Sequence, residues 1–390
     1  MKGVVRWVLP LLRYGLCLAA IYYLYTLVPW HDHLHLKAVG EQRFRIVEQR
    51  GDEFVILRDG QPTTVRRDQV RHAVIAGEEV PQIEQGIKSV VVRLDRWQAL
   101  WALLLFIPVT GIQIGRFVVM LAIQGVKLSY WASTKLTVAG NFFNFALPGT
   151  TGGDLIKAYY LTRYTHLKTE AVTTVFLDRA IGLFGLVLLA GGSIIFTREP
   201  EQFRQLLLTL ALVCFGLAVG AVLVFSRRMR ERLHLRELAA RLPMAEQILR
   251  VGRATVAMRQ HKSLVLLSLV MTLVLQAFCI VSAGVMAWAL GMTGDLSYYF
   301  IYVSICFLIA AIPIAPPQGV GVMEAAYIQF FCRGELQNDP SQALALAVAV
   351  RLIQLVWALP GVLVPLLGAH LPRRNELAVL ETAPPAAEQA

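Results

Sequence analysis

The sequence predicts an all-α polytopic membrane protein. About 7–8 spanning helices are expected, with two re-entrant or broken helices and a small extramembrane β module inserted after the first span. Three observations carry that class. Hydrophobic residues make up 56% of the 390 and charged residues only 16%, against about 25% charged in an ordinary soluble protein. The mean hydropathy is +0.56, which leaves too little polar surface to cover a water-soluble body of this size. The apolar residues also fall into long runs, and a helix needs about 20 of them to cross roughly 30 Å of hydrocarbon. Intrinsic disorder is excluded because it requires low hydrophobicity. Five cysteines are no disulfide framework, and Cys17, Cys214, Cys279 and Cys306 lie inside apolar runs, where a thiol behaves as a small hydrophobe.

Taken in order, Trp7–Pro29 is the first span, interrupted only by Arg13. Lys2 and Arg6 precede it, but the run is long and no small-residue cleavage site follows, so residues 1–29 read as an uncleaved signal anchor. Trp97–Gln124 carries Arg116, and Ala171–Phe196 carries Asp178 and Arg179. Leu206–Ser226 and Leu264–Leu290 are free of charge, and Tyr298–Ala315 is shorter. Ala343–Leu367 carries Arg351 and two late prolines. The membrane domain is expected to span 96–370, and residues 371–390 form a Pro/Ala/Glu tail expected to be disordered.

Residues 30–95 have a different character, with many charges of both signs. Phe44–Glu48, Phe54–Arg58 and Thr63–Val65 read as short strands, with Asp59-Gly60 as a hairpin turn, and Ser89–Leu94 as a further strand. His31, His33 and His35 alternate, but three alternating histidines are a weak metal signal, and no metal site is assigned. An extracytoplasmic protein is the partner such a module would meet.

Residues 227–262 hold ten Lys/Arg against Glu231, Glu237 and Glu246. By the positive-inside rule this loop is cytoplasmic, as is the N-terminus, and residues 30–95 are extracytoplasmic. The loop has no aromatic residue, so it is read as a topology determinant and not as a nucleic-acid surface. The charge counts agree if Leu136–Pro148 enters and leaves on one side. Seven spans place the C-terminus outside, whereas Arg373-Arg374 favour the inside; one more crossing near 316–332 would reconcile them.

Two stretches break the helical pattern. Leu136–Pro148 runs into Gly149-Thr150-Thr151-Gly152-Gly153-Asp154, and Pro316-Pro317-Gln318-Gly319-Val320-Gly321 runs into Val322–Phe331. Proline and glycine at that density end a helix, and a broken segment at membrane depth survives only inside protein or beside a wet cavity. Both turns run Pro, Gly-rich, acid, then a helix containing Ala-Tyr (Ala158-Tyr159 and Ala326-Tyr327). Paired interruptions in corresponding halves point to a transporter binding site. A half-helix that starts after such a turn offers amide N–H groups to an anion. The ionisable residues at membrane depth are Arg116, Asp154, Lys157, Asp178, Arg179, Glu324 and Arg351, and each needs a partner or a cavity.

The motifs Asn141-Phe-Phe-Asn144-Phe-Ala-Leu-Pro148-Gly-Thr-Thr-Gly-Gly-Asp154-Leu-Ile-Lys157, Phe176-Leu-Asp178-Arg179-Ala-Ile-Gly182 and Pro317-Gln-Gly319-Val-Gly321-Val-Met-Glu324 stand in that order, with Gly115-Arg116 and Arg351 flanking them. Together they resemble the membrane domain of the lysylphosphatidylglycerol synthase family, also called the flippase-like or UPF0104 domain. The resemblance covers roughly residues 97–370. It implies an integral protein of the cell membrane that moves or handles a lipid. The aminoacyl-transfer domain of bifunctional members is not expected here, and neither is its chemistry. The substrate-binding set this suggests is Arg116, Asn141, Asn144, Gly149, Thr150, Thr151, Gly152, Gly153, Asp154, Lys157, Asp178, Arg179, Gly319, Gly321, Glu324 and Arg351. No catalytic residue or cofactor is assigned, and no G-x-x-x-x-G-K-[ST] loop is present, so transport would be passive or ion-coupled. Two other classes stay open: a membrane-embedded glycosyl- or acyl-transferase acting on a lipid carrier, which needs Asp154 and Glu324 close together, and a non-transporting anchor that presents the β module.

Overall fold

The computed structural model describes residues 29–37, 42–51, 53–58, 60–75, 78–81, 83–146, 152–165, 167–196, 261–311, 319–332, 336 and 338–366. The expected span Trp7–Pro29, apart from Pro29 itself, the expected span Leu206–Ser226, the basic loop up to residue 260, the turn residues Gly149, Thr150 and Thr151, and the tail all lie outside these.

Alternation in the insert builds a five-stranded antiparallel sheet. Its strands are β1 (His33–His35), β2 (Arg43–Arg50), β3 (Glu53–Arg58), β4 (Gln61–Arg66) and β7 (Ile83–Glu84), in the order β4-β3-β2-β1-β7. A separate pair joins β5 (His72–Ile75) to β6 (Glu78–Pro81). Leu34, Phe44, Phe54, Ile56, Val65 and Val70 form the buried core of the module. Arg58 pairs with Gln61, and Gly60 takes φ 79° in the tight turn between them, a conformation that costs glycine little. His35 Nε2 lies 3.0 Å from Glu84 Oε1, and the His33 ring nitrogen Nδ1 lies 2.6 Å from the His31 carbonyl oxygen. Among the described residues no three His, Cys, Asp or Glu side chains are grouped to hold a metal.

The segment expected as a strand at Ser89–Leu94 is instead helix α1 (Ile87–Val92). Its valines favour a strand, but no sheet edge receives them. Val90 is buried with the membrane body, while Val91 and Val92 are 58% and 76% exposed. Context overrides β propensity here.

The membrane body follows. Helices α2 (Arg96–Leu104) and α3 (Phe106–Ile123) form one apolar stretch. Then come α4 (Tyr130–Ala146), α5 (Gly152–Tyr164), α6 (Lys168–Phe196), α7 (Lys262–Ala289), α8 (Leu296–Ala310), α9 (Val322–Phe331) and α10 (Pro340–Ala358). A 3₁₀ turn (Leu359–Val362) leads to α11 (Leu363–Leu366). Among the described residues four stretches are long and apolar enough to cross a membrane: Arg96–Ile123, Glu170–Phe196, Lys262–Ala289 and Pro340–Val362. The expected span Tyr298–Ala315 is shorter than read. Helix α8 has 15 residues, about 22 Å, against roughly 30 Å of hydrocarbon.

Helices α4 and α5 pack side by side and antiparallel, since Asn144 meets Gly153 while Gly140 meets Lys157. Glycine allows this approach: any side chain at Gly153 would overlap the Gly140 carbonyl oxygen. Helix α7 is inside out relative to a soluble helix. Leu266, Val270 and Val274 are exposed, whereas Ser268, Thr272 and Gln276 are buried. The end of the second half is seated on the first, because any side chain at Gly361 would overlap the Val138 carbonyl oxygen on α4.

The β module is tied to this body by backbone. Gly86 N–H donates to Asp32 Oδ1 (2.7 Å), and Gln85 N–H reaches the Oδ2 of Asp339, the residue capping α10 (3.4 Å). Asp339 precedes the span Pro340–Val362. Burial raises its pKa to about 6; the Gln85 hydrogen bond opposes this, and Glu84 and Asp32 add to it. The packed state therefore binds this proton more tightly than the unfolded chain. The stabilisation it brings is complete below pH 3.8 and is lost as pH rises through about 6. Between pH 5 and pH 7 the melting temperature of the purified protein is expected to fall further than that of Asp339→Asn, by roughly 2–4 °C. Parallel melting curves for the two proteins would refute this.

Candidate functional site

Between Asp95 and Asp154 the sequence contains no carboxylate, yet it carries Arg116. That guanidinium is 6% exposed on α3 and must find its counter-charge elsewhere. Asp178 of α6 supplies it. Arg116 Nη2 lies 3.0 Å from Asp178 Oδ1, and Lys157 Nζ of α5 lies 3.8 Å from Asp178 Oδ2. Asp178 and Lys157 are 8% and 5% exposed. Lys157 Nζ also sits 3.4 Å from the centre of the Phe117 ring, a cation–π contact. One turn back on α5, Asp154 Oδ2 accepts from Arg179 Nη1 at 2.5 Å. Of the three basic groups Arg116, Lys157 and Arg179, the first two therefore share the single carboxylate of Asp178.

The hairpin beneath these charges is built from amides as well as glycines. Gln113 and Asn141 exchange two hydrogen bonds, at 3.2 and 2.9 Å. Asn144 Oδ1 accepts from Gly153 N–H at 3.0 Å. The Gly153 amide is thus occupied by a side chain of the same hairpin.

The second break is arranged alike. Gly319 and Gly321 take φ 64° and 84°, and Ala310 lies about 3.0 Å from where a Cβ on Gly319 would stand. Glu324 is the third residue of α9. Its Oε2 accepts from Gly321 N–H at 2.7 Å, and its Oε1 accepts from Arg351 Nη1 of α10. Tyr327 stacks on Phe331, and its buried hydroxyl has no partner among the described residues. In each half an acid on the third residue of a short helix pairs with an arginine of the next long helix. The separation is 25 residues for Asp154 and Arg179, and 27 for Glu324 and Arg351.

The structure thus joins Arg116, Lys157 and Asp178, joins Asp154 to Arg179, and joins Glu324 to Arg351 with Gly321. Asn141 and Asn144 brace the hairpin, Gly152 and Gly153 open α5, and Gly319 adopts the backbone turn before α9. Reasoning from charge alone misses the neutral partners. Arg116 Nη1 donates to Thr272 Oγ1 (2.9 Å), and Gln276 Nε2 donates to the Gly182 carbonyl (2.6 Å). Their signal was present in the sequence: Ser268, Thr272 and Gln276 recur every fourth residue inside a strongly apolar run.

A family model for the lysylphosphatidylglycerol synthase TM region matches residues 84–361. The chain belongs to that family. Membership makes it an integral membrane protein of the lysylphosphatidylglycerol synthase, flippase-like type. The match begins at the last residue of β7, so the sheet of the β module lies almost wholly outside the lysylphosphatidylglycerol synthase TM region, and every charged residue of the site lies within it. No curated protein and no solved structure matches the chain significantly.

Gly153→Ala tests the close packing of the hairpin. It is expected to cost about 1–3 kcal/mol by overpacking. Gly191→Ala, whose new methyl meets open space, serves as the control. Thermal unfolding in detergent should show a loss of several degrees for the first and none for the second.

Proposed function

We propose that the protein is a translocase, or lipid-binding transporter, for an anionic or phosphate-bearing lipid, working passively or coupled to an ion. One observation carries the reading. Two buried cations, Arg116 and Lys157, stand on the single carboxylate of Asp178 beside a helix hairpin broken by glycines, in a body whose outer faces are apolar. Two of the three basic groups are arginine and lysine sharing a single carboxylate, so one of them is available to an incoming anion without breaking the other pair. A phosphate would complete the charge balance. Asp178 and Asp154 hold the cations in place while the site is empty, and they would speed release by competing for the same cations. The family supports a membrane protein of this type, and the lipid role is our extension of it.

In this reading the α4–α5 pair is re-entrant, with both open ends on the cytoplasmic side, and the β module is extracytoplasmic, where a protein partner could meet it. The module would sit at the mouth of the body through Asp339. A transferase would need Asp154 and Glu324 as a free acidic pair. Each is instead engaged by its own arginine, and that favours transport.

The decisive variant is Lys157→Met, because it leaves Arg116 and Asp178 paired and removes only the excess charge. In proteoliposomes with a fluorescent anionic phospholipid, the rate of exchange between leaflets is expected to drop at least tenfold, with thermal stability within a degree or two of wild type. Glu324→Gln, which keeps an oxygen to accept from Gly321 N–H but removes the charge that holds Arg351, is expected to slow the rate severalfold. Unchanged exchange in both variants would remove this function.

A further inference from the structure

The β module crosses to the membrane body at a backbone bend. Gln85, Gly86 and Ile87 follow β7, and each of these successive amides has an acceptor. Gln85 N–H reaches Asp339 Oδ2 (3.4 Å), Gly86 N–H donates to Asp32 Oδ1 (2.7 Å), and Ile87 N–H donates to the Pro29 carbonyl (3.1 Å). The first bond crosses to the body, and the other two hold the bend to the start of the module. The bend is tight, because any side chain at Gly86 would overlap the His31 backbone. Two carboxylates, one from each side, therefore stand on adjacent amides. A third, Glu84, comes just before them and is held by His35 Nε2 (3.0 Å) and Arg43 Nε (3.2 Å).

Asp339 is half-buried at the start of α10. Its own amide donates to Gln342 Oε1 (3.2 Å), and Gln342 Nε2 ties that turn to the Leu290 and Gly291 carbonyls beyond the end of α7 (both 3.1 Å). The charged groups that bear on Asp339 are Glu84 and Asp32 of the module, and Asp339 in turn bears on Cys332 just after α9. Of the basic groups at the seam, Arg43 is taken by Glu84, while Arg45 of β2 and Lys88 of α1 bear on His31. An ionised Asp339 in the closed seam is thus a half-buried carboxylate facing two others. Protonated, it keeps an oxygen for Gln85 N–H and repels neither. We propose that this seam is an acid-closed latch: a proton on Asp339 holds the β module down on the body, and loss of that proton lets the Gln85-Gly86 bend leave α10. Opening loosens the first turn of the helix that carries Arg351, so acidity on the module's side of the membrane sets how firmly the second break is held. The latch goes beyond the transport reading and does not need it; only an effect on lipid exchange would rest on that reading.

The test is amide hydrogen exchange of the full-length protein in lipid nanodiscs, followed on a peptide holding residues 83–90 and corrected for the intrinsic effect of pH. Burial, with Glu84 and Asp32 adding to it, raises the Asp339 pKa from 3.8 to about 6 in the closed seam. Closure is therefore complete below pH 3.8 and is lost as pH rises through about 6, so protection of the peptide is expected to fall about tenfold from pH 5 to pH 7.5. A peptide from the middle of α6 should not change. Asp339→Asn, which cannot ionise, should stay protected at both pH values. Asp32→Asn keeps an acceptor for Gly86 N–H and removes one repelling charge, so its loss of protection should be smaller and come at higher pH. A wild-type seam equally protected at both pH values overturns the inference, as does an Asp339→Asn protein that opens like wild type. If Asp339→Asn does not fold, Asp32→Asn decides, and a loss identical to wild type overturns it. Leaflet exchange in proteoliposomes is read separately: a seam that opens in a protein that moves no lipid leaves the latch standing and removes the transport reading.

Discussion

The membrane body is organised around one carboxylate. Asp178 lies buried between Arg116 and Lys157, and these three groups come from three different helices. A charge in an apolar interior is tolerated only with a partner of opposite sign. Each of the three therefore fixes the position of the other two. The α4–α5 hairpin is held to α6 through Lys157, and α3 is held to α6 through Arg116. Neutral contacts extend the same network to α7, through Thr272 to Arg116 and through Gln276 to the backbone of α6. Apolar packing alone would place these helices with less orientational precision, because lipid tails compete with side chains on nearly equal terms.

Much of this was legible in the sequence, and the reasons are physical. Membrane class follows from composition and run length, because the hydrocarbon sets one length for every spanning helix. Strands β2, β3 and β4 follow from alternation and from the Asp-Gly turn. The charged positions stand out because an ionisable residue in an apolar run has no neutral explanation. Their partners were not legible. Which carboxylate meets Arg116 depends on the packing of α3 against α6, and no local pattern encodes that. Helix α1 was misread because Val90, Val91 and Val92 carry strand propensity, whereas their surroundings favour a helix. The sequence marks α8 as a shorter run but not the residue where it stops, because hydropathy marks apolar residues and not helix ends.

The glycine breaks show a subtler difference. Sequence reasoning assigns their amides to an anion. The amides of Gly153 and Gly321 are taken by Asn144 and Glu324. A side-chain acceptor at that place satisfies an orphan donor and stiffens the turn. The positive character of the region then rests on Arg116 and Lys157, which share one carboxylate, more than on helix ends.

The seating of Gly361 on the Val138 carbonyl has a mechanical meaning. Two backbones in direct contact leave no side chain between them to flex or slip. The helix that bears Arg351 ends at this point of contact, and the hairpin that bears Lys157 begins its turn a few residues beyond it. A displacement of the one against the other would have to carry both backbones with it, and the small size of one residue sets how closely they are seated.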